Sequence, residues 1–329
     1  MTMVSPFTGG EAHLLQEQRE MIYRKEKYAY VARFYVCVDT QEQFTTTELD
    51  ELNLGQVHNQ YRVQHGIPFP DEMKTVRKSY GLSAPKMSEI LGLGTNQYRL
   101  YENGEMPSEA IGKTLKSIMN PSVFAEYVRN AENQFSKNEY IRICDKLEKA
   151  SDMKENIDCR RYIYNMPKRS AVNGYAPHTF EKTKNVILYF INRLGGVFST
   201  KMNKLLFYAD FCCYKRYCIG MTGLSYKAIQ YGPVPERWNI LYGSIDEIDT
   251  EIVSFPSGNS GERLVSHTAP DLSYFSEKEL SILNEVIDKL GQKTANQLSV
   301  MSHAEDAWIR FKDDTLPIDY TEAFTLKAL

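Results

Sequence analysis

The spacing of apolar residues predicts a chain that is mostly helical, with a few short strands. Between residues 28 and 36, apolar side chains alternate with their neighbours in the period of a β-strand that buries one face. From residue 47 onwards, apolar positions recur mainly every three or four residues, which is the period of helices with one buried face. Short strand candidates return in the stretches "LSYKAIQYGPVP", "EIVSFP" and "ERLVSH". We therefore predict a mainly α fold with small β units, which is an α+β class.

Caps and glycines divide residues 71–107 into three short helices. The second helix begins at Ser83, whose side-chain oxygen can accept hydrogen bonds from the free amides of the first turn. Residues 92–94, Gly-Leu-Gly, form a tight turn, in which glycine takes positive φ without steric cost. Thr95 is expected to cap the third helix, which ends at Gly104. Two short helices joined by a glycine turn are the helix-turn-helix arrangement, whose second helix enters the DNA major groove.

The third helix has two different faces. Tyr98 and Tyr101 fall on one side, and the other side is polar. Arg and Asn side chains near a helix N-terminus can pair with guanine and adenine, so this face suits groove reading. A solvated polar face on an ordinary small helical bundle is the alternative. The predicted DNA-binding residues lie on this face and at the start of the second helix: Ser83, Lys86, Thr95, Asn96, Gln97, Arg99 and Asn103.

The stretch "GLGTNQYRLYENG" resembles the helix-turn-helix of antitoxins of the MqsA type. The resemblance includes Asn96 after the glycine turn and the Tyr-Glu-x-Gly ending that starts at Tyr101. One position departs from the family, which places a base-reading Arg directly before that Tyr. This chain has Leu100 there, with Arg99 one position earlier. The resemblance therefore implies the fold but not the operator sequence. Because one short recognition helix reads few bases, we expect a homodimer on a double-stranded DNA operator with an inverted repeat.

The N-terminal unit resembles the zinc ribbon that precedes the helix-turn-helix in MqsA-type proteins, with its metal site removed. Where the family carries Cys-Pro-x-Cys-Gly, this chain has Ser5 and Thr8 at the two cysteine positions. Where the family carries a second Cys-x-x-Cys, this chain has Cys37 and Thr40. Structural zinc requires about four thiolate or imidazole ligands. We therefore expect no zinc, no other metal and no cofactor.

Composition bounds the class of protein. The chain has 329 residues, which is enough for two or three domains, and a net charge of only −3. Its six cysteines show no framework spacing, and no stretch has the pattern of a signal peptide or of a membrane span. We expect a cytoplasmic protein with no membrane partner. Residues 236–289 carry eleven Asp and Glu against four Lys and Arg. This acidic balance is consistent with attraction of a basic partner and equally with ordinary solvated surface charge.

The C-terminal half is predicted to be organised around a helix over residues 200–218. This helix is apolar on both sides, so it is either central in its domain or presents one face to a partner. Cys212, Cys213 and Cys218 invite a metal-site hypothesis, but adjacent cysteines do not match the spacing of a tetrahedral site. Cysteine is a common buried residue, so core packing is the preferred interpretation of all three.

Residues 178–329 resemble the Panacea (SocA-like) antitoxin domain. The matching motifs, in order, are "KLLFYAD" at residues 204–210, "YGPVP" at residues 231–235, and Leu298-Ser299, His303 and Trp308. The resemblance implies a type II antitoxin whose Panacea domain binds and neutralises a cognate protein toxin. The contact surface we expect joins the outer face of the 200–218 helix to the stiff proline turn: Lys204, Tyr208, Phe211, Tyr231, Pro233, Val234 and Trp238.

Four domains follow from these patterns. They are a β-ribbon-like unit at 1–66, a helix-turn-helix bundle at 67–120, a helical connector and linker at 121–177, and a mostly helical toxin-neutralising domain with a few short strands at 178–329. The function they imply is a toxin-binding antitoxin that represses its own operon. A free-standing transcriptional regulator with a ligand-sensing C-terminal domain, and a protease adaptor for a toxin, remain alternatives. The chain has none of the Gly-rich phosphate loop, HExxH or G-x-S-x-G motifs, so we expect no enzyme.

Overall fold

The computed structural model describes residues 2–164, 168–255, 258–313 and 316–329, with side chains up to residue 150 in the first range. About 52% of the residues are helical and 17% lie in strands, which confirms the α+β class. The chain forms two compact units. The first unit combines Met1–Gln56 with Tyr164–Leu329, and the second is Val57–Ile163.

The N-terminal part of the first unit is a four-stranded antiparallel sheet in the order β1-β2-β3-β4. Its central pair is a long hairpin whose turn, Arg24-Lys25, has positive φ at both residues. Tyr28, Ala32 and Phe34 on β3 are buried, as the alternation of apolar residues predicts. The strands are β1 Thr2–Val4, β2 Glu11–Tyr23, β3 Glu26–Cys37 and β4 Gln43–Phe44.

Helix α1, Thr47–His65, begins in the first unit and ends in the second. Two side-chain amides of α1 hydrogen-bond to the backbone of β3, as a neighbouring strand would. Gln56 accepts from the Val31 amide at 3.0 Å and donates to the Val31 carbonyl at 2.9 Å. Asn53 makes the same pair of bonds with Arg33, both at 2.9 Å. The backbone polar groups of β3 are thereby satisfied where no further strand covers them.

The second unit is a bundle of short helices around an aromatic core. Tyr80 stacks on Phe124 with ring centroids 4.7 Å apart and donates to the Ile118 carbonyl at 2.8 Å. Tyr98 donates to the Met73 carbonyl at 3.0 Å, so the buried hydroxyl is satisfied. The helices are α2 Pro70–Ser79, α3 Ala84–Ile90, α4 Gln97–Glu102, α5 Glu109–Ser117, α6 Pro121–Asn130 and α7 Lys137–Tyr164.

The segment "CRRYIYNMPKRSAVNGYAPHT", residues 159–179, has a Pro, an Asn-Gly pair and no lasting period, which predicts a linker. This prediction is wrong over the first residues of the segment. Helix α7 continues to Tyr164, because no Gly or Pro interrupts the chain before Pro167. Residues 165–167 of the predicted linker lie outside the described residues. A single 3₁₀ turn then follows at Ala171–Asn173.

The C-terminal part of the first unit is built around α9, Ser199–Tyr217. Every residue from Met202 to Tyr214 is buried, which confirms the central position of this helix. Cys212, Cys213 and Cys218 are buried too, in keeping with core packing. The other helices are α8 Phe180–Leu194, α10 Trp238–Gly243, α11 Glu277–Leu290, α12 Ala295–His303 and α13 Asp306–Phe311.

Two small sheets complete this part. The segment predicted as one strand before the proline turn is an antiparallel hairpin, β6 Tyr226–Ile229 and β7 Gly232–Pro235. The second sheet has the order β5-β9-β8, with β5 at Val197–Phe198, β8 at Asp249–Ser254 and β9 at Ser260–Val265.

Candidate functional site

The buried carboxylate of Asp210 on α9 holds the loop that leads into β6. One carboxylate oxygen accepts from the backbone amides of Met221 and Thr222, both at 2.7 Å. The other oxygen accepts from the Thr222 hydroxyl at 2.5 Å and from the Tyr226 hydroxyl at 2.6 Å. Burial raises the pKa of Asp210, against the lowering effect of these four donors. The carboxylate thus fixes where the β6–β7 hairpin begins.

Glycine is required at the end of the hairpin turn. Gly232 has φ +96, and an added Cβ would clash with the Ser302 hydroxyl and lie 2.8 Å from a carbon of the Lys204 side chain. A two-residue connection, Gln230-Tyr231, precedes it. The backbone of the turn therefore lies directly against side chains from α9 and α12.

Lys204 fastens the hairpin from inside the domain. Its ammonium nitrogen donates to the Pro233 carbonyl at 2.8 Å. The side chain is buried, and this burial lowers the pKa of Lys204 to about 7. Proline cannot donate a backbone hydrogen bond, but its carbonyl is free to accept one.

Two more side chains hold the turn from α12 and α13. The Ser299 hydroxyl donates to the Tyr231 carbonyl at 2.9 Å, and the Trp308 indole donates to the Ile229 carbonyl at 2.8 Å. The ring of His303 stacks on Trp308 with centroids 4.1 Å apart. We call residues 226–235, held in this way from three helices, the clamped hairpin.

The imidazole of His303, which stacks on Trp308, has a lowered pKa. Burial and the nearby charge of Lys204 lower the pKa of His303, while a hydrogen bond with the Gln230 backbone raises it. Ser299 and Trp308 thus contact the hairpin, and His303 contacts Trp308.

Glu305 is a second buried carboxylate in this part of the unit. It accepts from the backbone amides of Lys327 and Ala328 at 2.8 and 3.0 Å, and from the Tyr208 hydroxyl at 3.3 Å. Burial raises the pKa of Glu305. Tyr208 is therefore a core donor that helps to fix the C-terminal segment.

The expectation that α9 presents an outer face is wrong. Lys204, Tyr208 and Phe211 are buried, because α8, α11 and α12 and the clamped hairpin enclose the helix. Phe211 packs against Tyr320 with ring centroids 4.4 Å apart. These three side chains belong to the core and lie on no exposed surface of the described residues. Sequence periodicity could not show this, since a helix that is apolar all round looks the same whether it is enclosed or docks a partner.

The proline turn itself presents one large exposed side chain. Tyr231 is 65% exposed although its backbone is held on both sides, whereas Pro233 and Val234 are buried. Trp238 at the start of α10 is partly exposed. Val300 and Ile309, which come directly after Ser299 and Trp308 in the sequence, are also exposed apolar residues. Ile229, at the end of β6, is exposed as well. We give the name tip patch to these four exposed residues, Ile229, Tyr231, Val300 and Ile309, which lie at the turn or next in sequence to the residues that hold it.

Helix α3 in the second unit begins as predicted. The Ser83 side chain accepts from the Lys86 amide at 3.3 Å. The predicted cap of the next helix at Thr95 is wrong: the N-cap residue of α4 is Asn96, and it makes no side-chain capping bond. The Tyr98 amide is satisfied instead by the Ser88 hydroxyl of α3, at 3.0 Å.

The two predicted faces of α4 are present. Tyr98 and Tyr101 are buried, and Arg99 and Asn103 are exposed, as is Asn96 before the helix. Two other predicted residues are engaged inside the unit. Lys86 donates to the Gln134 carbonyl at 3.0 Å, and Gln97 donates to Glu105 at 2.9 Å.

An ion pair fixes α4 against α2. Arg77 donates to both carboxylate oxygens of Glu102, at 2.6 and 3.0 Å, and to the Leu82 carbonyl at 2.9 Å. Because the guanidinium of Arg77 binds both oxygens of Glu102, the pair is fixed in orientation as well as in distance. The exposed polar side of α4 is thereby held rigidly on the unit.

Several residues that organise the hairpin are absent from the predicted site residues. Asp210 belongs to the motif at residues 204–210 but is not among the predicted contact residues. A catalytic pairing of Asp210 with Glu236 is not present either, because Asp210 accepts from Tyr226 and Glu236 pairs with Lys227 at 3.0 Å. A charged residue inside the apolar run "KLLFYAD" is a signal of a buried hydrogen-bonding centre. Ser302, which lies against Gly232 of the hairpin, carries no comparable signal.

Residues 202–309, about a third of the chain, match the family model described as "Antitoxin SocA-like, Panacea domain". Neither a curated protein nor a solved structure matched the chain. Among the described residues, no helix combines the length and the apolar character needed to cross a membrane. The matched stretch contains α9 from Met202 onwards, the clamped hairpin and the helices that hold it. This part of the chain is therefore similar to the SocA-like, Panacea antitoxin family, and the similarity supports an antitoxin role.

Proposed function

We propose that this protein is the antitoxin of a type II toxin-antitoxin system. Residues 178–329 bind and neutralise a cognate protein toxin, and the second unit binds operator DNA as part of a dimer and represses the operon. The observation that carries the toxin-binding part is the convergence of the family motifs on one hairpin. Lys204, Ser299 and Trp308 each bind a backbone carbonyl of the hairpin, and Tyr231 stands exposed at its turn.

The clamped hairpin has the properties of a binding anchor. Its backbone is fixed by three side-chain hydrogen bonds, so little conformational freedom remains to be lost on binding. Tyr231 is an amphipathic side chain of the type that is enriched among residues that dominate interface energies. The apolar residues of the tip patch supply contact area around it. The acidic balance of residues 236–289 would steer a basic partner towards this part of the unit.

The DNA-binding part rests on the geometry of α3 and α4. They are joined by a short glycine turn, and the tyrosine face of α4 is buried while Arg99 and Asn96 are exposed. A rigid helix with exposed Arg and Asn side chains near its N-terminus suits base readout in the major groove. This arrangement supports a helix-turn-helix function for the second unit.

Co-expression with the neighbouring gene tests the proposal. The neighbouring gene product should arrest growth alone, and full-length protein should restore growth. A reporter under the operon's own promoter should be repressed in the same cells. A neighbour that is harmless alone, or growth arrest that the full-length protein does not relieve, would exclude the antitoxin assignment.

A further inference from the structure

The first turn of the N-terminal sheet, residues 5–10, is closed by a specific set of hydrogen bonds. The Gly9 amide donates to the Ser5 carbonyl at 3.0 Å, and the Ser5 amide donates to the Gly10 carbonyl at 2.8 Å. The Gly10 amide also donates to the Thr8 hydroxyl at 3.1 Å. Gly9 lies in the left-handed region, with φ +74.

The second turn, residues 37–42, repeats this set bond for bond. The Gln41 amide donates to the Cys37 carbonyl and the Cys37 amide to the Glu42 carbonyl, both at 3.0 Å. The Glu42 amide donates to the Thr40 hydroxyl at 3.4 Å. Gln41 has φ +61, the counterpart of Gly9. The chain thus forms the same turn twice. Each turn carries two side chains three positions apart, a buried one at Ser5 or Cys37 and one from an exposed residue at Thr8 or Thr40.

The side chains of the two turns converge on one point. The Thr8 hydroxyl lies 3.6 Å from the Cys37 sulfur. The Ser5 hydroxyl and the hydroxyl and backbone amide of Thr40 also hydrogen-bond to this sulfur. Together with the Thr8 contact they lower the pKa of Cys37 to about 6, although burial raises it. Ser5 and Cys37 are almost fully buried.

The Thr8–Cys37 separation matches one edge of a tetrahedral metal site. Two thiolates bound to one zinc ion at about 2.3 Å lie about 3.8 Å apart, close to the Thr8–Cys37 separation. Two turns that each place side chains at positions one and four are the usual source of four such ligands. The residues present do not fit the metal, however, because three of the four are neutral hydroxyls. No group of His, Cys, Asp or Glu able to hold a metal ion occurs among the described residues.

We infer that positions 5, 8, 37 and 40 form a metal-binding scaffold in which hydrogen bonds between one thiol and the residues at the other three positions have replaced the metal. The cluster ties the two turns together where the adjoining strands β1 and β4 have only three and two residues. Zinc binding returns when the three hydroxyl residues become cysteines. This inference is independent of the proposed toxin and DNA binding.

The triple variant Ser5→Cys/Thr8→Cys/Thr40→Cys of the full chain tests the inference. After purification with zinc, it should hold about one zinc per chain by elemental analysis, and the wild type should hold none. With cobalt(II), it should show the visible absorption of tetrahedral thiolate coordination. The matched control is Ser5→Cys/Thr8→Cys/Thr47→Cys, which has the same number of thiols with one moved to the start of α1. Its zinc affinity should be at least tenfold weaker than that of the triple variant.

A folded triple variant without stoichiometric zinc, or a control that binds equally well, overturns the inference. A single variant decides the case if the triple variant does not fold. Thr8→Cys places a thiol beside Cys37, so incubation with oxidised glutathione should yield a disulfide between residues 8 and 37, with two molecules of reduced glutathione released. Peptide mapping that finds no such disulfide in the folded variant also overturns it.

Discussion

The ammonium nitrogen of Lys204 lies 2.8 Å from the carbonyl oxygen of Pro233 and donates a hydrogen bond to it. The bond joins the central helix α9 to the second strand of the clamped hairpin. Lys204 is only 3% exposed, so its amine must either remain neutral or carry a charge with little solvation. This one contact makes the position of an exposed turn depend on a buried titratable group.

Lys204 should make the stability of the protein depend on pH above neutrality. Its pKa is about 7 in the folded protein, well below the ordinary lysine value of 10.5 that applies to the unfolded chain. Between these values the unfolded chain binds a proton that the folded protein does not. The free energy of unfolding should therefore rise with pH in this window, by at most about 1.4 kcal/mol per pH unit, and this contribution is lost as pH falls through 7. Urea unfolding from pH 7.5 to 9.5 measures it.

The variant Lys204→Met removes the titrating group while keeping a long apolar stem in the site. Its free energy of unfolding should rise less steeply with pH than that of the wild type. Lys227→Met, at a more exposed position on β6, is the control and should keep the wild-type slope. Equal slopes for Lys204→Met and the wild type would show that Lys204 is not responsible.

Asp210→Asn should destabilise the protein by about 2–4 kcal/mol, because the site presents only donors. Two backbone amides and two hydroxyls donate to the carboxylate. In the Asn variant, the side-chain NH₂ group replaces one of the acceptor oxygens, so two of these four donors would face another donor. Asp288→Asn, at an exposed position on α11, makes the same chemical change and should shift stability by less than about 0.5 kcal/mol. A loss of similar size in both variants would mean that the four hydrogen bonds of Asp210 contribute little.

Arg99→Ala and Asn96→Ala should each weaken specific operator binding by about 1–3 kcal/mol. Arg129→Ala, which removes an exposed arginine of the same unit, is the charge-matched control and should leave sequence preference unchanged. Titration of promoter DNA against a scrambled fragment of equal length, at fixed salt, measures the specific part. If Arg99→Ala and Asn96→Ala keep the wild-type preference, α4 is not the recognition helix.

Local features of the sequence predicted much of the fold. The Ser83 cap and the buried tyrosine face of α4 depend on residues within a few positions of each other, and the structure has both. The predicted Thr95 cap of α4 is wrong because the Tyr98 amide donates to the Ser88 hydroxyl, which belongs to the preceding helix. Such a partner depends on how two helices pack, which no local pattern reports.

Long-range contacts could not be predicted in the same way. The first unit joins residues 1–56 to the C-terminal region, and two contacts show how. The Cys218 thiol donates to the Leu52 carbonyl at 3.2 Å, and the Arg33 guanidinium lies 5.6 Å from the Phe324 ring centroid. Neither pair has a sequence signature, because the partners are separated by most of the chain. Tyr231, by contrast, lies in a local turn that the "YGPVP" motif predicts, and the structure shows that its side chain is exposed.

The affinity of Tyr231→Ala for the purified product of the neighbouring toxin gene tests the central claim most directly. The variant should bind at least about 30-fold more weakly than the wild type, the loss expected of an anchor residue, and should still melt cooperatively near the wild-type temperature. Tyr274→Ala is the matched control, because Tyr274 is 40% exposed and lies in a 3₁₀ turn away from the clamped hairpin in sequence. Its affinity should equal that of the wild type. Wild-type affinity for a folded Tyr231→Ala variant would contradict the assignment of the clamped hairpin as the toxin-binding element.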